Sequence, residues 1–171
     1  KGGESDTETG WLPNYYVPTN YFINWTQEAV KRMRTLTVKQ RDGKGENRIC
    51  SRFQNKEYYF KEGITFSIVG MYSPTFRWGF GTVFDVRGSY IYCNNINNFP
   101  LGILTSKLIK YLFKSCIISS VGSEIDSIKE IPFCIKKNNK ISDLVDKIIE
   151  KQKKNYRYDY MSNEQKEIDE L

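Results

Sequence analysis

The segment "YYFKEGITFSIVGMYSPTFRWGFGTVFDVRGSYIY" (58–92) decides how this chain is read. It is aromatic, β-branched and punctuated by glycine, so it reads as short strands joined by turns rather than as helix. Between Lys61 and Asp85 it carries basic residues and one acid, Glu62. A sheet core accounts for the rings, and a surface meeting an anionic polymer accounts for the cations. Strands are expected at 48–53, 57–60, 64–70, 81–86 and 89–93. The glycines and Pro74 then mark turns or bulges, and Arg77-Trp78 falls in a loop between strands.

Helices flank this block. "TQEAVKRMRTL" (26–36) has helical composition with Thr26 as its N-cap. "LGILTSKLIKYLFKSCII" (101–118) places Leu101, Leu104, Leu108, Tyr111 and Leu112 on one face and Lys107, Lys110 and Lys114 on the other. A turn at Gly122-Ser123 then leads to a strand ending in Ile131-Pro132. "SDLVDKIIEKQKK" (142–154) reads as a second helix with Leu144, Val145, Ile148 and Ile149 inward. Ser162 and Gln165 make a capping box for a third. Strands followed by helices give an α+β fold, a mixed sheet with packed helices plus a helical C-terminal extension.

A chain of 171 residues can bury a real core in one domain. Net charge is +6 with a pI near 9.0. Residues 26–61 carry ten basic side chains against four acids, and residues 64–140 carry nine against four. From residue 141 onward six bases face eight acids, so the body is basic and the tail is not. Nucleic acid is the commonest partner of such a basic chain. No run of eighteen apolar residues occurs, which argues against a membrane partner. The N-terminal "KGGESDTETG" lacks an apolar signal region, and a cytoplasmic location is expected. Opening on Lys1 and closing on "EQKEIDEL", the chain reads as cut from something longer.

There is no histidine, which excludes Ser-His and Cys-His nucleophile pairs and histidine metal sites. Cys50, Cys93, Cys116 and Cys134 are irregularly spaced, so no metal site is expected and the thiols read as reduced and mostly buried. Gly79-Phe80-Gly81 runs into strand-like "TVFDV", so it is not a nucleotide-binding glycine loop. Asp85 reads as a strand-end residue, and no catalytic residue is assigned. Binding is better supported. Arg77, Trp78, Arg87 and Ser89 lie in the central block, where arginine can fork onto guanine or phosphate and hydroxyls add contacts. Lys107, Lys110 and Lys114 form a stripe, and Arg41 and Lys44 belong to the basic segment between Lys31 and Arg52. The plainer alternative is that the arginines are solvated loop charges and the stripe is the wet face of a helix.

Several segments in order resemble the target-recognition region of adenine-specific DNA methyltransferases, namely type IIG restriction-modification enzymes and the BREX phage-defence methyltransferases. They are "KGGE" (1–4), Trp11 with Asn14-Tyr15, and "YFINW" (21–25). "YYFKEGITFS" (58–67) is similar to a family segment except that Phe66 stands where tryptophan is usual. "GTVFDVRGSYIY" (81–92) differs at Arg87, "LGILTSKLIKYLF" (101–113) differs at Thr105, and "VGSEIDSIKEIPF" (121–133) carries extra residues. "KEIDEL" (166–171) is similar to the start of a closing helix. The resemblance implies a recognition fold like the specificity domains of type I systems and the TaqI-like C-terminal specificity domain. Residues 1–140 would be a duplex-DNA recognition domain and 141–171 a truncated helical extension. It also implies a parent enzyme that moves a methyl group from S-adenosylmethionine to adenine N6, with the catalytic domain of that parent chain as a partner. The family's Asn/Asp-Pro-Pro-Tyr motif is absent, because no two prolines are adjacent. The chain is therefore expected to be no enzyme and to bind no cofactor itself. The alternative is a protein-interaction module that docks a methyltransferase or nuclease subunit.

Overall fold

The computed structural model describes residues 14–18, 22–38, 48–49, 53–66, 74–84, 88–92, 98–117, 125–133 and 138–171. The chain forms two compact units, one made of Lys1–Pro18 with Phe60–Leu171 and the other of Thr19–Tyr59. Among the described residues there are six α-helices and a three-stranded antiparallel sheet, an α+β fold as expected.

The smaller unit holds α1 (Gln27–Thr35), whose Thr26 cap accepts a hydrogen bond from the Ala29 N–H at 3.3 Å. Asn24 Oδ1 in turn accepts from the Thr26 N–H at 3.1 Å, fixing the approach to the helix. Strands β1 (Thr37–Val38) and β2 (Arg48–Ile49) pair antiparallel. The Trp25 indole meets the Phe53 and Tyr59 rings, each at 5.7 Å between centroids, and the Arg34 guanidinium lies 5.1 Å from the Phe53 centroid. The strand expected at 57–60 is instead a 3-10 turn, Lys56–Tyr58. Asn55 and Phe60 on either side have φ of 51° and 64°, a left-handed backbone that no strand can accommodate.

In the larger unit the sheet runs β4-β3-β5, with β3 Gly63–Phe66, β4 Phe76–Gly79 and β5 Tyr90–Ile91. Arg77-Trp78 is therefore strand and not loop. The register explains the glycines, which sit inside the strands and not only at turns. Gly63 pairs with Gly79, and the Tyr90 ring lies across both. A Cβ on Gly79 would meet that ring at 3.0 Å, and one on Gly63 would meet the Ile91 carbonyl at 2.6 Å. The Tyr90 hydroxyl reaches the Lys61 and Gly79 carbonyls at 2.6 and 2.9 Å, and Phe84 stacks on its ring at 5.3 Å. Residues 82–84, expected as strand, have no strand pairing, and 85–86 lie outside the described residues. Phe84 is half-buried rather than core.

The other sheet face, with Ile64, Phe66 and Phe76, enters a core built mainly by helices. α2 (Phe99–Thr105) contributes Leu101 and Leu104, and α5 (Asn139–Lys154) contributes Ile141, Leu144, Val145, Ile148 and Ile149. Each such buried aliphatic contributes about 1.5–3 kcal/mol. Gly102 lets α5 approach, since a Cβ there would sit 3.0 Å from Val145 Cγ2. The helix expected over 101–118 is broken. Ser106 is extended (φ −64°, ψ 154°), and its hydroxyl accepts from the Ile109 N–H to start α3 (Lys107–Leu112), which continues as a π turn, Phe113–Ile117. The break resets the helical phase, so Ile109 and Phe113 are buried while Leu108 and Tyr111, expected inward, are 65% and 66% exposed; Leu101 and Leu104 stay buried and Lys107 and Lys114 exposed as expected.

Residues leading to Ile131 form α4 (Ile125–Lys129), not a strand, with an Asp126–Lys129 ion pair at 2.8 Å spanning its single turn. α6 (Glu164–Glu170) is not opened by a capping box. Asp159 accepts from the Met161 and Ser162 N–H groups at 3.0 and 3.3 Å, and Gln165 turns inward. Cys116 is exposed, against the expectation of burial, and the other three cysteines lie outside the described residues. α5 and α6 belong to the same unit as the sheet. No helix among the described residues is long and apolar enough to cross a membrane.

Candidate nucleic-acid interface

Alternation along β4 sends Arg77 and Trp78 to opposite faces of the sheet. Arg77 is 3% exposed and its Nη1 donates to Thr75 Oγ1 at 2.6 Å. Burial pushes its pKa down to about 10, with Tyr160 acting in the opposite direction, so it stays cationic at neutral pH. Trp78 is half-buried and meets both Phe80, at 5.8 Å and nearly parallel, and the Lys153 ammonium at 4.7 Å. Ser89 is buried, its carbonyl accepts from the Phe66 N–H at 3.3 Å, and its hydroxyl has no partner among the described residues. Arg87, Arg41 and Lys44 lie outside the described residues.

The lysine stripe divides. The Lys107 N–H donates to Asp169 Oδ1 at 2.8 Å and its ammonium lies 3.5 Å from Oδ2, so α6 supplies an anion at the start of α3. Lys110 is half-buried. Burial and then Lys107 push its pKa down, against the pull of Asp169. Lys114 is exposed on the π turn. The structure thus gathers Lys107 and Lys110 about Asp169, and Trp78 with Phe80 and Lys153, while Arg77 and Ser89 lie beneath the surface. Lys153 was not among the sequence candidates, because a tail of negative net charge hides a basic final turn of α5: Lys151, Lys153 and Lys154.

Behind this surface runs a buried polar network whose long-range pairings residue spacing does not announce, although Asn14-Tyr15 is one of the segments quoted for the resemblance. Tyr15 has φ 74°, a strained value for a ring-bearing residue, held by two backbone bonds to β4, from its own N–H to Phe76 O and from the Trp78 N–H to its carbonyl, each 2.8 Å. Its hydroxyl donates to Gln165 Oε1 at 2.6 Å, and the Thr105 hydroxyl lies 2.7 Å away. Asn14 Oδ1 accepts from the Phe76 N–H at 2.8 Å, the Asn14 N–H donates to the Tyr160 hydroxyl at 3.1 Å, and Gln152 donates to the Asn14 carbonyl at 3.2 Å. One edge of β4 is thereby locked to α2, α5 and α6. Nearby, Glu164 is buried. Burial works to raise its pKa, but Lys151 at 2.8 Å, its own N–H and Tyr158 bring it below the usual range.

The described residues include Gly79-Phe80-Gly81, which does not form a nucleotide-binding glycine loop. It ends β4 and leads into the unpaired 82–84 rather than into a helix N-terminus, so the backbone offers no converging N–H groups there. No cluster of three or more metal-ligating side chains occurs among them either.

No family model matches the chain. It is 29% identical over 155 residues to the adenine-specific methyltransferase BrxX of Escherichia coli O9:H4 (strain HS). The aligned part is 88% of this chain and 11% of BrxX. The chain is thus similar to one segment of a much longer adenine-specific methyltransferase.

Proposed function

We propose that this chain is a DNA target-recognition unit of an adenine-N6 methyltransferase of the BREX or type IIG kind. The observation that carries the reading is the match over 88% of the chain to a small part of an adenine-specific methyltransferase. The absence of an Asn/Asp-Pro-Pro-Tyr motif from the sequence supports a reading role rather than a catalytic one. Methyl transfer would then belong to the catalytic domain of the parent chain, which would bind S-adenosylmethionine and dock against this unit. In this reading residues 1–140 supply the recognition domain, the last turn of α5 adds Lys153 and Lys154 to its DNA-facing side, and Gln152 and Gln165 brace β4 from behind.

Contact with DNA would begin with phosphates. Lys107, Lys114, Lys153 and Lys154 reach solvent as the structure stands. Arg77 would read a base only if DNA drew its guanidinium out from beside Thr75, whereas Trp78 can be met in place. The test is a segment exchange. Replacing the matched 11% of BrxX by this chain and mapping methylated adenines should move methylation to a new sequence. A hybrid that methylates the original BrxX site shows that this segment does not choose the target.

A further inference from the structure

Phe80 is a large apolar ring that folding does not hide. It is 62% exposed, yet it lies within 8° of parallel to the Trp78 indole at 5.8 Å between centroids. Phe80 directly follows the end of β4 and lies two positions beyond Trp78, so the stack is made between near neighbours in the chain. With one face against Trp78 and most of its area in water, Phe80 turns its other face to solvent. The turn beyond it is open as well. Gly81 has φ 65°, and among the described residues nothing lies within 4 Å of where its Cβ would be. On the same indole rests the Lys153 ammonium at 4.7 Å, and the last turn of α5 also carries the exposed Lys154.

Parallel rings with a free outer face, a cation beside them and room alongside are what an unstacked nucleobase requires. A core contact would have buried Phe80. A helix-docking groove would offer aliphatic knobs and not a flat ring with an adjacent ammonium. We infer that Phe80, stacked on Trp78 with the Lys153 ammonium on the same indole, is a platform for an extrahelical base of DNA, with the basic last turn of α5 taking a neighbouring phosphate. This rests on the DNA reading above and adds to it a specific mode. The platform meets π-faces, so it is indifferent to base identity. Sequence choice therefore lies elsewhere, and the platform favours DNA in which one base has left the helix.

The whole 171-residue chain is titrated onto a perfect duplex and onto the same duplex with one unpaired 2-aminopurine, by fluorescence anisotropy. The bulged duplex should bind about 5- to 100-fold tighter, with quenching of the 2-aminopurine as it stacks. Phe80→Ala should erase both the preference and the quenching. Its far-UV spectrum and urea midpoint should match the parent's, because the ring is outside the core. Phe22→Ala, which removes a ring that is 93% exposed in the other unit, should keep both signals. Equal affinity for the two duplexes, or a Phe80→Ala variant that retains the preference, overturns the platform and leaves the DNA reading standing. Binding to neither duplex overturns both.

Discussion

Tyr15→Phe deletes one oxygen and leaves the ring, so it isolates the polar lock at the edge of β4. The Tyr15 hydroxyl donates to Gln165 Oε1 at 2.6 Å, and Gln165 is 1% exposed. Thr105 loses little, because its hydroxyl also lies 2.9 Å from the Leu101 carbonyl and can donate there. The Gln165 carbonyl has no such escape and is left buried without a donor, at a cost of about 1–3 kcal/mol. The edge-to-face contact with Tyr160, 5.1 Å between centroids, is preserved, so no packing loss adds to that figure. With a urea slope of about 2–3 kcal/mol per molar for a chain of this size, the unfolding midpoint should fall by roughly 0.5–1 M with the slope unchanged. Gln165→Met removes the orphaned carbonyl but also the Nε2 bonds to Asp169 Oδ1 at 3.1 Å and to the Thr105 carbonyl at 3.5 Å, so the double variant should lose less than the sum of the two single variants. A midpoint shift below about 0.2 M, or a double variant that is simply additive, would refute the claim that this pair ties the N-terminal segment to α6.

Other expectations test other levels of the structure. Gly63→Ala should destabilise more than Gly79→Ala, by about 1–3 kcal/mol against less, because the first new methyl meets the Ile91 backbone and the second only the edge of the Tyr90 ring. Thermal unfolding of the two variants compares them directly. Burial pushes up the pKa of Tyr15 and Tyr160, and that of Tyr90 to about 12, so the folded chain holds these protons above the ordinary 10.0. Their contribution to stability should be level below pH 10 and fall as pH rises beyond it. Arg77, pushed down to about 10 by burial, acts the other way over that window and offsets part of the loss. Urea midpoints at pH 9 and 11 read the balance, and a midpoint that rises contradicts it. Replacing Lys107, Lys110 and Lys114 together by Gln should weaken duplex binding alike for every sequence and flatten its salt dependence. The smallest share should come from Lys107, which already faces Asp169. An unchanged salt slope removes the stripe from the interface.

The fold was readable in the sequence where its causes are local. Thr26 caps α1 as its residue type requires, and the inward positions of α5 follow from 3.6-residue spacing. The errors arose where a distant partner decides. Leu108 and Tyr111 satisfy a helical stripe drawn from Leu101, but Ser106 breaks the helix and exposes both. Gly79 looks like a turn residue until Tyr90, eleven positions on, is seen lying across it. Ser162 and Gln165 have capping-box spacing, yet Gln165 serves Tyr15, 150 residues away. The candidate site shows the same limit. Arg77 and Trp78 were readable as neighbours, but their burial was not, and Lys153 meets the indole only because α5 ends beside β4.

The most direct test of the central claim is equilibrium binding of the chain to duplex DNA at several salt concentrations between about 50 and 200 mM. The account predicts a dissociation constant on the order of 10⁻⁴ to 10⁻⁶ M near physiological salt, weakening steeply and log-linearly as salt rises. No binding at about 50 mM salt, or an affinity that does not change across the series, would contradict it.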